Sequence, residues 1–246
     1  MREDDILMAQ NRFLYDAGVL CRTPMTLDGY GEPVLQGKYL TFLGDNWRPI
    51  HLRVLDALMI KAARHPEKEL FCGVGEFAAL CGISEREALR QLKSSLIFLD
   101  SLRLTQGGDR LFCCRKVRGG ITATFYEAYL NATERRSGGM SFPKGLFAVD
   151  MRAHPRSYLF GRTIAMHEAM KKSAGRPSVF SLSTLWGEVD AGSVNTSYQT
   201  NFLHPFCRDM DHLSPIWDWQ WVGDPPSSVR YFSDAMISVN RKLRQK

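Results

Sequence analysis

Arg86, Arg90 and Lys93 stand four and three residues apart, the spacing that lines side chains along one stripe of a helix. A guanidinium fork can bridge O6 and N7 of a guanine or clamp a phosphate, and an ammonium neutralises a phosphate as a point charge. The chemistry on offer is recognition of nucleic acid. Arg103, Arg110, Arg115, Lys116 and Arg118 follow, so that eight basic residues stand against three acidic ones between Arg86 and Arg118, a local balance of +5. A helix face charged only for solubility would show the same stripe. What comes before and after it favours binding.

Those residues need a scaffold, and residues 70–121 supply its parts in order. Phe77, Ala78 and Leu80 are the apolar positions of a short helix that stops at Gly82, a residue able to take the left-handed cap conformation. Ser84-Glu85-Arg86-Glu87 has the form of a capping box, the serine hydroxyl accepting from an early amide and the glutamate reaching back. Ala88, Leu89, Leu92, Leu96 and Leu99 then form one apolar stripe, leaving the basic stripe free. Leu102 to Thr105 and Arg110 to Cys113 alternate at period two around Gln106-Gly107-Gly108-Asp109, which predicts a hairpin. Helix, tight turn, basic helix and hairpin are the parts of a winged helix, whose second helix enters a major groove while the wing follows the backbone.

The same order recurs about a hundred residues later. Residues 155–175 predict a helix containing Tyr158, Leu159, Ile164 and Ala165. Phe180 marks a strand, and residues 181–186 a capped short helix. Asn195 to Leu213 predicts a longer helix with Phe202, Phe206, Met210 and Leu213 on its apolar side. Trp217, Trp219 and Trp221 alternate on a strand separated by Gly223-Asp224-Pro225-Pro226 from a second, Val229 to Phe232. The counterparts in the first half are a helix over Ile50 to Arg64 and a strand position at Phe71. Pro205 predicts a kink or a break in the long helix, because proline removes a ladder donor. Asn195, Thr196, Thr200, Asn201 and His204 are the candidates for a second groove, through contacts to adenine edges or phosphates. Arg241, Lys242 and Arg244 in the basic tail can grip phosphate, or form a solvated end.

The expected fold class is α+β, with two winged-helix domains in tandem, each a helix bundle with a small antiparallel wing. Residues 1–49 form an N-terminal extension without an assigned role, its end lending a strand near Lys38 to Leu43. Residues 50–132 form the first domain, 133–144 a polar, glycine-containing linker after a helical Tyr126 to Leu130, and 145–246 the second domain with its basic tail. So short a linker sets the two readers on successive major grooves of one DNA face.

Composition agrees. The chain has 246 residues, is 44% apolar and 24% charged, and carries a formal charge of +6 with a pI near 9.1, a balance that favours an anionic partner. From Met1 to Pro49 acidic residues outnumber basic ones seven to five, whereas Pro226 to Lys246 holds five basic and one acidic. The acidic start lacks the apolar run of a signal peptide, and no stretch reaches the roughly 20 apolar residues of a membrane span. A cytoplasmic location without membrane contact is expected. Six cysteines are scattered without a C-x-x-C pair and are most simply buried thiols; a zinc site from His65, Cys72 and Cys81 is the minor alternative. Cys113 and Cys114, adjacent on a strand, should face opposite sides.

Enzyme signatures are missing. The sequence contains no G-x-x-x-x-G-K-[ST] loop, no G-x-S-x-G elbow and no H-E-x-x-H helix. Tyr126 and Tyr129 could serve as nucleophiles for strand nicking, but no His-x-His pair accompanies them. Catalytic residues, a metal and cofactors are therefore not expected.

The pattern Glu76-Phe77-Ala78-x-Leu80-x-Gly82-Ile83-Ser84, with Ala88-x-Arg90-x-Leu92-Lys93 after it and the Leu203-His204-Pro205 step in the second long helix, resembles the plasmid and phage replication initiators built from two winged-helix domains. The resemblance covers about residues 36–240 and lies in topology and short motifs. It implies sequence-specific binding of double-stranded DNA at repeated origin sites, recruitment of host replication enzymes and a homodimer formed through the first domain. A winged-helix transcriptional repressor would begin with the same DNA contacts. From another class, a protein-interaction module would turn the basic stripe to an acidic partner.

Overall fold

The computed structural model describes residues 6–9, 26–27, 33–34, 48–64, 69–101, 110, 112–126, 140–170, 178–182, 185, 199–227, 231 and 234–242. The chain is α+β: helices pack against small antiparallel sheets of two or three strands.

Helix α1 (Pro49–Arg64) opens on proline, whose missing N–H is no loss in a first turn. Every residue from His51 to Ile60 is buried. An ordinary surface helix buries one stripe; this one is covered all round because α3 (Glu85–Ser101), α5 (Pro155–Met170) and strand β1 (Ile6–Ala9) all pack on it. One continuous apolar core, from Leu52 through Phe125 to Val239, joins the two halves of the chain.

Strand β4 (Glu69–Gly73) leads into α2 (Val74–Cys81), which ends at Gly82 with φ 63° and ψ 32°, its N–H returning to the Ala78 carbonyl. The glycine stop is as expected. Helix α3 starts after Ser84, and the predicted stripe holds: Ala88, Leu92 and Leu99 are buried, Leu89 and Leu96 half-buried. The capping box forms by half. Ser84 Oγ accepts from the Glu87 N–H at 3.3 Å, but the Glu87 carboxylate turns outward to Arg90 and Gln91 instead of back to Ser84.

The wing is displaced from its predicted position. The sequence predicts Arg110 to Cys113 as the returning strand; in the fold β5 (Phe112–Val117) is the outgoing strand, and it pairs with β6 (Gly120–Phe125) across a tight turn at Arg118-Gly119. Leu102 to Thr105 and the predicted turn at 106–109 lie outside the described residues. The sheet order is β4-β6-β5, so the strand that precedes the helix pair is hydrogen-bonded to the last strand of the hairpin. Val74 N–H donates to the Gly119 carbonyl at 2.8 Å, tying the wing tip to the start of α2. Tyr126 follows β6 as exposed, non-helical chain, and the rest of the helix predicted to Leu130 lies outside the described residues.

Gly120 sits where β6 meets Gly73 of β4. A Cβ there would lie 2.1 Å from the Cys72 carbonyl oxygen and 3.0 Å from the Phe71 ring. Backbone cannot give way as a side chain can. Gly120→Ala is expected to destabilise the protein by about 1–3 kcal/mol, as other overpacking changes do, read as a lower urea midpoint. An unchanged midpoint would show that the register does not depend on this approach.

The second half repeats the element order. Helix α5 is followed by β8 (Ser178–Ser181), helical positions at Leu182 and Leu185, α6 (Gln199–Asp211), β9 (Trp217–Val222) and β10 (Met236–Arg241). Its sheet order, β8-β10-β9, matches β4-β6-β5 position for position. Residues 186–198 lie outside the described part, and α6 runs through Pro205 as one helix, so the predicted break does not occur. The partner of the tryptophan strand is also corrected. It is Met236–Arg241, in the register Ile237↔Trp221 and Val239↔Trp219, and not Val229 to Phe232. Trp217 is fully buried, while Trp219 and Trp221 are half-buried against Phe206, so the tryptophan face belongs to the core.

Residues 140–143, which the sequence placed in the linker, are strand β7 (Met140–Pro143) and pair antiparallel with β1. The short helix α4 (Lys144–Phe147) follows. Strands β2 (Thr26–Leu27) and β3 (Pro33–Val34) pair with each other. The strand expected at Lys38 to Leu43 lies outside the described residues.

Two buried polar clusters cross between the halves. Asp56 of α1 accepts from Arg162 Nε at 2.8 Å, Arg162 Nη2 at 3.1 Å and the Tyr158 hydroxyl at 2.7 Å, both members of the ion pair being wholly buried. Burial, reinforced by Asp56, raises the Tyr158 pKa well above its ordinary value, so the phenol stays a donor. Arg53, also buried, donates through Nη1 to the Phe147 and Val149 carbonyls and through Nη2 to Gln91 Oε1.

Candidate nucleic-acid interface

The basic stripe of α3 is formed as predicted and lies in the open. Arg86, Arg90 and Lys93 are exposed and line one shallow surface concavity with Ser84, Glu87 and Ser94. The helix gains this surface because its other side is committed to α1, α2 and β5. Arg86 and Lys93 have no acidic partner among the described residues. Arg90 does: its Nε and Nη2 donate to Glu87 Oε2 and Oε1 at 2.8 and 2.6 Å. These hydrogen bonds pull the Glu87 carboxyl down to about 2 from the usual carboxylate range. The pair therefore persists at neutral pH and opens only as pH falls through about 2.

Glu87 is held in turn. Gln91, 3% exposed, donates to Glu87 Oε1 at 2.8 Å and accepts from Arg53. A chain of side chains thus runs from the exposed Arg90 guanidinium to backbone carbonyls of the second half. Sequence reasoning singled out neither Gln91 nor Arg53. The available signals were the i, i+3 and i, i+4 spacings from Glu87 to Arg90 and Gln91, and an arginine set between Leu52 and Val54 in a mostly apolar stretch of helix.

On the wing, Arg115, Lys116 and Arg118 are exposed and have no acidic partner among the described residues. Arg118 lies at the tip, next to the start of α2 through the Val74–Gly119 hydrogen bond. Arg110 is exposed but pairs with Asp100 at 3.0 Å; this contact fastens the end of α3 to the chain entering β5. Arg103 lies outside the described residues.

The second-half candidates are thinner. Asn195 and Thr196 lie outside the described residues. Thr200 and Asn201 belong to the first turns of α6, with their side chains outside the description. His204 and Arg208, one turn apart, are exposed on the same helix. The tail assignment changes for Arg241 and Lys242. Arg241 closes β10, pairs with Glu168 at 2.6 Å and stacks over Trp217, its carbon 5.9 Å from the ring centroid. It fastens β10 to α5, and its charge is already spent. Lys242 pairs with Asp218 at 3.1 Å; Arg244 lies outside the described residues.

Burial raises the Cys72 and Cys114 thiols to about 12 and Cys81 to about 11, which keeps them protonated at neutral pH. Among the described residues no group of three or more His, Cys, Asp and Glu side chains stands together as a metal site. No described helix is long and apolar enough to cross a membrane.

No protein-family model and no curated protein matches the sequence. The fold does have counterparts among solved structures. One is the Pi initiator protein in complex with iteron DNA, similar with a TM-score of 0.56 at 9% sequence identity, over the whole of this chain and the whole of that one. At this identity the likeness is one of fold.

Proposed function

We propose that the chain is a replication initiator of a plasmid, phage or other mobile element, built from two winged-helix domains in tandem, that binds double-stranded DNA sequence-specifically at repeated origin sites. The observation that carries the proposal is the open stripe of Arg86, Arg90 and Lys93. It lies on the second helix of a helix-turn-helix whose sheet topology recurs in the second half. The fold shared with the Pi initiator protein, whose solved complex contains iteron DNA, supports the same reading. Arg115, Lys116 and Arg118 would run along the backbone beside the first groove, and α6 would present His204 to a second. The protein binds and distorts origin DNA, and recruited host enzymes supply the chemistry. The first domain would also carry a homodimer contact, and the protein would act in the cytoplasm.

Selection of bound duplexes from random DNA by the purified protein tests the proposal. Recovery of a motif spanning two successive major grooves is expected, since both readers sit on one core. Failure to enrich any motif at moderate salt would overturn it and favour an acidic protein partner for the stripe.

A further inference from the structure

Arg90 differs from the other cations of the stripe in having charge compensation without loss of its recognition edge. Glu87 takes Nε–H and one N–H of Nη2, the side edge of the guanidinium. The end edge, Nη1 with the second N–H of Nη2, has no protein partner among the described residues, and the side chain is 67% exposed. Two parallel N–H groups at that edge match O6 and N7 of guanine. Attraction to phosphate scales with net charge, which Glu87 cancels. Base recognition depends on where the donors point, and Glu87 holds them. Resting on the DNA-binding function proposed above, we infer that Arg90 reads a guanine in the major groove, and that Glu87 and Gln91 are positioning residues that set its fork.

The support runs deep for a surface arginine. A free guanidinium on a flexible stem would lose rotamer freedom on binding. Here Gln91, buried and bonded to Arg53, fixes the Glu87 carboxylate, and Arg53 is fixed by the Phe147 and Val149 carbonyls. The fork is aimed before DNA arrives. Arg86 and Lys93, whose charges no described acid cancels, are left to the phosphates on either side.

The test is duplex selection followed by competition binding at two salt concentrations, with wild type, Arg90→Ala, Arg90→Lys and Glu87→Gln. Wild type should prefer G·C at one position. Arg90→Ala and Arg90→Lys should each lose that preference by about ten- to a hundredfold, the range for one bidentate pair, while other positions keep theirs. Glu87→Gln should also lower it, by about tenfold, and yet strengthen binding to unrelated duplex at low salt, because one negative charge is gone. Opposite movements of specificity and bulk affinity are not what a merely structural Glu87 would produce. The inference is overturned if Arg90→Lys keeps the guanine preference, if Arg90→Ala weakens all sequences equally, or if Glu87→Gln leaves the preference intact. Absence of any selected motif in wild type would instead overturn DNA recognition itself, and this inference with it.

Discussion

Asp56→Ala is expected to lower the stability of the protein by about 3–5 kcal/mol, the usual cost of stranding one partner of a buried ion pair. The wholly buried Arg162 would lose both of its hydrogen bonds to Asp56, and the Tyr158 hydroxyl would lose its acceptor in the same step. Small domains are held by only about 5–15 kcal/mol, so much of the folded margin is at risk. Urea denaturation followed by circular dichroism measures it. Joint replacement by Asp56→Leu, Tyr158→Phe and Arg162→Met should recover most of the loss, because three apolar side chains need no partner and none leaves a charge or an unpaired hydroxyl behind. If the single variant costs under about 1 kcal/mol, the pair is not what holds α1 against α5. The location makes the prediction more than a stability test: Asp56 and Arg162 come from opposite halves, so the variant should loosen one half against the other and, under the proposed function, lower affinity for a two-groove site more than for unrelated duplex.

Arg86→Ala/Lys93→Ala is expected to weaken binding to every duplex while leaving the fold intact. Both side chains are exposed and have no acidic partner among the described residues, so their removal breaks nothing inside the protein. Each neutralised phosphate contributes about −0.9 to the slope of log affinity against log salt, and loss of two contacts should flatten that slope by about 1.8. Affinity near 0.05 M salt should drop by about tenfold or more, and the gap should close as salt is raised. A fluorescence-anisotropy salt titration reads both quantities. An unchanged slope would remove the α3 stripe from the interface and leave the wing as the basic surface in use. The pattern differs from that expected of Arg90→Lys, which changes base preference and keeps the slope.

Parts of this architecture that depend on neighbours in sequence are legible in the sequence. Gly82 ends α2 because a left-handed residue without a Cβ is needed there, and Ser84 caps α3 because its hydroxyl meets an amide three residues on. The stripe of α3 followed from its 3.6-residue period, and with it the exposure of Arg86, Arg90 and Lys93. Strand pairing was less legible. Residues 102–113, 112–125, 229–232 and 236–241 all offer short apolar runs at period two, and nothing local says which run meets which. The choice of β6 followed from β4, far back in the chain, whose Gly73 faces Gly120 at a backbone approach that only glycine permits. The same kind of contact turned Arg241 from a tail cation into a partner of Glu168, and gave residues 140–143 to β1.

The candidate site divides along the same line. Residue type and helical period determined which side chains could meet DNA. Tertiary structure alone decided which of them keep a positive charge that no acid balances, since Arg110 and Arg241 are matched with acids brought to them by folding. It also decided which one is aimed. The Arg90–Glu87–Gln91–Arg53 chain combines two helices with carbonyls about ninety residues farther on, and Asp56 meets Arg162 across 106 residues. Local periodicity specifies the face a side chain occupies, whereas a charge-compensated network depends on atoms that come within hydrogen-bonding reach only when the core closes.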